Sequence, residues 1–464
     1  MTQHSMNWPQ LLSLKKHGDV HKRERKNENP SRVGFEVDYD RIIFSNPFRS
    51  LQDKTQVIPH SKTDFVHTRL THSLEVSVVG RSIGRLAGEQ IVKKYPELTD
   101  LGYTINDFGA IVAAACLCHD IGNPAFGHSG EDAIASYFDR HENELKPFFT
   151  EAEWGDLINF EGNANAIRIL TQQQNGKSEG GLRLTYSTLA SIAKYPCESI
   201  AKDKSFLHRK KFGFFQAQKS VFQTIAEKTN MIQESNSPII YKRHPFVWLV
   251  EAADDICYSI IDVEDSQRLG IIDHDKCKRL FLNLVESLNP SQIEHTKSTL
   301  KSISDKNDRI AYLRAKSINL LTQKSVEVYQ NNFESILKGE FKTALLDIIK
   351  DETVNETKKV LTEIQRFSRE NIYNHRSVLE IENAGYNVMS ELLSQFIPPI
   401  LKDEADRKNF EKKALKLVPN QFLYEKGTKY QKVMGILDYV SGMTDNYATE
   451  LYRRIKGIEI GMTI

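Results

Sequence analysis

The sequence predicts an all-α protein, and three observations carry that expectation. Residues 68–86 repeat apolar side chains at helical spacing, residues 111–117 are almost wholly small or apolar, and from about residue 273 a Lys/Glu/Leu-rich chain keeps helical periodicity with few turn signals. Around residues 39–57, where a strand is the competing reading, no period-two alternation persists.

At 464 residues the chain is long enough for several domain-sized units, or for one large helical body with appended segments. Its net charge of +1, from 62 basic and 61 acidic residues, argues against a protein whose main business is a large electrostatic footprint on nucleic acid. No stretch approaches the roughly 18 to 20 apolar residues that span a bilayer, and the N-terminus lacks the apolar core of a signal peptide. The expected location is the cytoplasm, with no membrane partner. Cys116, Cys118, Cys197, Cys257 and Cys277 have no C-x-x-C spacing and read as buried free thiols.

Taken in order, the chain divides at 1–35, 36–272 and 273–464. The first segment is polar, with basic runs at Lys15-Lys16-His17 and His21 to Lys26, and reads as solvated and mobile; the alternative is a phosphate- or partner-contacting arm. Residues 39–57 read as a short helix and turn. The next helix carries the stripe His72, Val76, Val79, Ile83 and Leu86, with Arg69 one turn before His72 on the same side. The apolar helix that follows ends in His119-Asp120, and Gly122 and Pro124 stop it, Gly by a left-handed exit and Pro by breaking the ladder. A capping box of Ser129 and Asp132 starts another helix at Ser129, placing His128 and Glu131 on a common side at its mouth. Further helices open near Gly162 and Leu184, with a turn at Glu179-Gly180-Gly181 and a basic loop over 202–211. His244-Pro245 then begins a long helix on which Asp254, Tyr258 and Asp262 line one face at i, i+4 and i+8. The last segment reads as amphipathic helices suited to oligomer contacts or to closing over a site. Within it, Asp438 to Tyr447 is unusually specific, and composition assigns it no role.

His119-Asp120 alone fits a helix-end dipole contact as well as a metal pair, and a single His72 fits a satisfied core histidine. Together, His72, His119, Asp120 and Asp254 supply two imidazoles and two carboxylates from three helices, enough for a divalent ion with positions left for water and a substrate oxygen. The lack of thiolates disfavours structural zinc. Mn²⁺ or Mg²⁺ leads, with Fe²⁺, Zn²⁺ or Ni²⁺ as further candidates.

This spaced pattern resembles the HD-domain metal phosphohydrolases, and its surroundings resemble their deoxyguanosine triphosphate triphosphohydrolase branch. The matching words are Phe44-Ser45 to Phe48-Arg49, Lys54-Thr55-Gln56-Val57, Thr68 to Ser73, His119 to Pro124 through Phe126-Gly127-His128 to Glu131, Glu161-Gly162-Asn163, Lys211 to Phe215, and Glu251 to Ile256, with an echo at Ser441 to Asp445. The resemblance implies an HD core over 36–272, with a helical C-terminal region contributing to oligomer contacts and the nucleotide pocket. It implies attack of water on the α-phosphorus of a deoxynucleoside triphosphate, dGTP first, releasing deoxynucleoside and intact triphosphate. His128 would transfer the proton, with Glu131 paired to it and raising its basicity. Arg69 and Lys211 would clamp phosphate. Tyr258 would pack against the sugar C2′ and exclude a 2′-hydroxyl, Asp262 would accept from the 3′-hydroxyl, and Gln56 would lie near sugar and base. A homo-oligomer, as a dimer of dimers or a hexamer, and a dNTP or single-stranded DNA effector are also implied. Ser50, Phe212 and Asn446 depart from the residues frequent in relatives, none at a metal ligand. Two other readings stay open: an HD-domain phosphodiesterase or 5′-nucleotidase acting on other nucleotides, and a non-catalytic nucleotide or single-stranded DNA sensor.

Overall fold

Apolar periodicity becomes packing first in the helices Arg69–Lys94 and Ile105–Cys118, which share the most extensive contact between any two elements. The computed structural model describes residues 5–19, 21, 23–56, 67–173, 180–352 and 355–459; Val57, Glu179 and Lys22 of the stretches read above lie outside that set. Every side chain from Ile111 to Cys118 is buried, as an all-round apolar helix requires. On its partner, His72, Val76, Val79 and Ile83 face inward, but Leu86 is 38 % exposed and Ala87 and Ile91 continue the stripe. A turn of 3.6 residues drifts away from a strict three-four repeat, so the fifth expected position has rotated outward.

The protein is all-α, with one small exception among the described residues. Gln233–Asn236 and Ile239–Tyr241 form an antiparallel pair around a Ser237-Pro238 turn, too short for alternation to register in the sequence. Several helix ends also shift. Ile105–Cys118 stops before His119, and Gly122 does not take the left-handed exit; its missing side chain instead lets Gly162 to Ala166 close against it. The helix expected from Ser129 runs Gly127–Arg140, with Phe126 as its N-cap in left-handed conformation, φ 60°. The Ser129 hydroxyl donates to the Glu382 carbonyl at 2.5 Å and so makes no capping box. The Asp254 helix is Val247–Arg268, beginning two residues beyond Pro245.

The N-terminal segment is not solvated throughout. Trp8, Leu11, Leu12 and Leu14 are buried, and the Trp8 ring lies 5.5 to 6.0 Å from those of Phe108, Phe246 and Phe333. A few anchoring apolar residues, diluted by charged neighbours, dominate the energetics of a segment whose average composition is polar. Its Lys16 is buried too, with Nζ 2.7 Å from the Asp38 carboxylate.

Two apolar cores result, and neither stops at residue 272. One gathers Trp8, the two first helices and the Val247–Arg268 helix, and continues through Leu280, Leu313 and Tyr329 to Ile372. The other joins Ile134, Phe138, Trp154 and Phe215 to Phe396, Met434 and Val440 of the C-terminal helices Arg376–Leu401 and Lys429–Ser441. No described helix is long and apolar enough to cross a membrane.

Candidate metal centre and cleft

Three helical elements converge where the packing pattern places their polar exceptions. His72, 2 % exposed, sits one turn into the Arg69–Lys94 helix, with Nε2 3.3 Å from Asp254 Oδ1. His119 caps the Ile105–Cys118 helix, and its Nδ1–H donates to the Cys116 carbonyl at 2.7 Å. That bond commits Nδ1 as a donor and turns Nε2 toward the cluster, where it can ligate a cation once it carries no proton. Nε2 lies 3.6 Å from Asp254 Oδ1 and 3.6 Å from Asp120 Oδ2, is buried, and has no hydrogen-bond partner among the described residues. The ligand atoms of His72, His119 and Asp254 all lie within 4.8 Å of one another. An orphaned imidazole nitrogen, a second imidazole and a carboxylate this close fit a divalent cation, which removes the desolvation penalty each would otherwise bear.

Asp120 stands beside that trio. Its Oδ1 accepts from Asn123 Nδ2 at 2.5 Å, and Oδ2 lies 3.0 Å from Arg69 Nη1 as an ion pair without a directed hydrogen bond. Burial raises the Asp254 carboxyl, but His119, Lys194 and His72 together outweigh it and hold that group well below the usual carboxylate range. The carboxylate is therefore ionised, as a ligand must be.

A cleft of ≈ 630 Å³ opens over these groups. Of the residues singled out in the sequence, Gln56, Arg69, His119, Asp120, His128, Glu131, Lys211, Asp254 and Tyr258 line it; His72 lies behind, and Asp262 does not reach it. Asp262 accepts instead from the Tyr373 hydroxyl at 2.7 Å, and the Tyr373 ring stacks on Tyr258 at 5.5 Å and 17°. Gln56 Oε1 is buried at the cleft wall with no hydrogen-bond partner among the described residues.

The expected His128–Glu131 pair does not form among the described contacts. Glu131 Oε1 accepts from the Gly162 amide at 2.7 Å, and its Oε2 lies 3.9 Å from Lys211 Nζ. Starting at Gly127 rather than Ser129, the helix presents His128 to the open cleft while Glu131 turns under Gly162. Burial, then the neighbouring Glu161 charge, pushes the Glu131 carboxyl up to about 7. Burial, then Lys211 and Arg69, holds the His128 imidazole below its usual range. Lys211 is itself engaged, 3.0 Å from the Glu161 carboxylate.

Sequence reasoning missed three participants. Lys194 lines the cleft with Nζ 3.4 Å from Asp254 Oδ2 and 4.0 Å from Glu251, whose carboxylate Arg243 holds at 2.9 Å. It is the only cation between Leu184 and Pro196, which was a legible signal. Glu161 carried a motif but no assigned role, and Tyr373 follows no motif at all. Its ring is placed by stacking on Tyr258 and by the hydroxyl bond to Asp262.

Two family models match the chain: the HD domain over residues 69–175 and the phosphohydrolase-associated domain over residues 352–454. The chain is 38 % identical to a deoxyguanosinetriphosphate triphosphohydrolase-like protein of Synechocystis, over 98 % of this chain and 100 % of that one. It is 35 % identical to a protein of the same name from Pseudomonas aeruginosa, over 97 % and 99 % of the two chains. A deoxyguanosinetriphosphate triphosphohydrolase of Salmonella typhimurium is 29 % identical over 92 % of this chain and 94 % of its own. With three side chains that could hold a metal clustered under a polar cleft and near full-length similarity on both sides, this chain belongs to the deoxyguanosinetriphosphate triphosphohydrolase-like family of HD-domain hydrolases.

Proposed function

We propose that the protein hydrolyses dGTP, and other deoxynucleoside triphosphates with it, to deoxynucleoside and inorganic triphosphate. The observation that carries this reading is His119 Nε2, without a described hydrogen-bond partner, beside His72 and Asp254 at the floor of a cleft whose walls carry Arg69, Lys194 and Lys211 among several carboxylates. His72, His119, Asp120 and Asp254 hold Mn²⁺ or Mg²⁺. When bound, such an ion polarises a phosphate oxygen and makes water a better nucleophile.

The chain's own residues do the rest. Arg69, Lys194 and Lys211 face the cleft and screen the anionic phosphate chain, Lys211 exchanging its Glu161 contact for the substrate. His128, whose imidazole is held below its usual range by desolvation in the cleft and then by Lys211 and Arg69, accepts the proton of the attacking water on its imidazole nitrogen. Glu131 acts on it indirectly, through the charge it shares with Lys211. The stacked Tyr258–Tyr373 pair offers a flat ring face to the sugar, where it would disfavour a 2′-hydroxyl, and Asp262 would be reached only in exchange for the Tyr373 hydroxyl. Gln56 offers its free carbonyl to sugar or base.

The HD chemistry is carried by residues of 36–272, on a body whose two cores continue into the C-terminal region that closes the pocket. A homo-oligomer in the cytoplasm, responsive to a dNTP or to single-stranded DNA, completes the reading. Dialysed protein given each of four dNTPs with Mn²⁺ or Mg²⁺, products resolved by anion exchange, tests it: triphosphate supports it, and phosphate or pyrophosphate favours a phosphodiesterase or nucleotidase instead.

A further inference from the structure

The Asp438–Tyr447 stretch, specific in sequence and without a role in the chemistry, touches the cleft from behind. Asp445 is 1 % exposed, and its two oxygens accept from two different cleft walls: Oδ2 from the Thr55 amide and Oδ1 from the Phe126 amide, each at 2.9 Å. Thr55 precedes Gln56, and Phe126 stands two residues before His128. A third bond ties the same walls together, since Lys54 Nζ donates to the Asn123 carbonyl at 2.7 Å and to the Ser441 carbonyl at 3.1 Å.

Phe126 needs holding. Its φ of 60° is the left-handed region, which a bulky side chain adopts only where the surroundings impose it. Its ring is seated over Gly385 of the Arg376–Leu401 helix, where an added Cβ would land within the ring. One turn along the same helix, the Glu382 carbonyl accepts from Ser129. The first turn of the His128 helix is thus gripped on three sides by the C-terminal region: amide, ring and hydroxyl.

We propose that Asp445 is a positioning residue, and that with Gly385 it fixes the strained Phe126 turn, so that the C-terminal region sets where His128 stands relative to the metal centre. The proposal rests on the hydrolase reading above for its catalytic consequence, but the clamp itself is a property of the fold. Asp445→Asn keeps the size of the side chain and sets an amide NH₂ against a backbone N–H, losing one of the two bonds. Gly385→Ala favours its own helix yet displaces the Phe126 ring.

Both variants, made in the full chain, are measured for dGTP turnover, Mn²⁺ affinity by calorimetry, and amide exchange by mass spectrometry. The expected result is a kcat lower by about 10- to 100-fold, with Mn²⁺ affinity kept within about threefold of the parent. Exchange should quicken in peptides over Lys54–Gln56 and Pro124–His128 and stay unchanged in Ile105–Cys118. A merely structural Asp445 would lower thermal stability without this split between turnover and metal affinity, and parental kcat and exchange in both variants would overturn the proposal. If Asp445→Asn does not fold, Gly385→Ala carries the test. If the parent hydrolyses no dNTP, the function proposed above fails, and exchange alone decides: quickened at Phe126, the clamp stands; unchanged, it falls.

Discussion

His119 concentrates the residue-scale argument in one side chain. Its Nδ1 is committed to a carbonyl one turn back, and its Nε2, 3.6 Å from the Asp254 and Asp120 carboxylates, has no hydrogen-bond partner among the described residues and is placed to ligate a cation. His119→Ala is expected to abolish Mn²⁺ binding in calorimetry while leaving the far-UV circular dichroism unchanged, because the residue follows the helix rather than building it. Retained binding at parental affinity would place the ion elsewhere. The His72–His119–Asp254 trio was legible in the sequence because each is a polar exception on an apolar face. Lys194 and Tyr373 were not singled out: the lone lysine in an apolar stretch was a signal passed over, and a tyrosine in an amphipathic helix is an ordinary surface residue until the fold turns it inward.

At the scale of elements, buried polar contacts join helices that the sequence places far apart. Asp156, in the Glu151–Ile158 helix, accepts from Ser199 Oγ at 2.5 Å, the Gln216 amide at 2.6 Å and the Tyr430 hydroxyl at 2.6 Å. Burial nonetheless pushes its carboxyl up to about 7. A carboxyl raised on folding adds stability that is whole below its unfolded value near 4 and is lost as pH rises through about 7. Parent protein should therefore lose more thermal stability between about pH 5 and about pH 8 than Asp156→Asn does, as read by calorimetric melting. Equal pH slopes would show that Asp156 ionises in the fold as it does unfolded. No sequence pattern announces such a contact: helical periodicity locates faces, but which faces meet depends on partners more than 200 residues away. The same limit explains why the helix interiors were read correctly while the starts at Gly127 and Val247 were not, since a left-handed Phe126 is held from outside its own helix.

For the whole molecule, the division of the chain in sequence character does not coincide with a division in packing. Ile134, Phe138 and Trp154 share one core with Phe396, Met434 and Val440, and Val263 shares the other with Phe281 and Tyr329. A fragment of residues 36–272 would expose both cores and lose Trp8 as well. It is expected to show no cooperative unfolding transition in urea, whereas the full chain should show one; a sharp transition in the fragment would mean that the C-terminal helices are an accessory. The helical class and the His72, His119 and Asp254 cluster were visible because each is written locally, whereas Asp262 does not reach the cleft and Lys194 and Tyr373 do. The N-terminal anchor at Trp8 and the closure by Asp445 depend on long-range packing and became visible only with the fold.

The central claim is that four side chains hold an ion which turns this cleft into a triphosphate-releasing site. Its most direct measurement is product analysis of dGTP incubated with metal-depleted protein, with and without added Mn²⁺, for the parent and for Asp254→Asn. The account predicts deoxyguanosine and intact inorganic triphosphate in equal amounts, only with the ion and only for the parent. Pyrophosphate or phosphate as the first product, or equal turnover by Asp254→Asn, would contradict it.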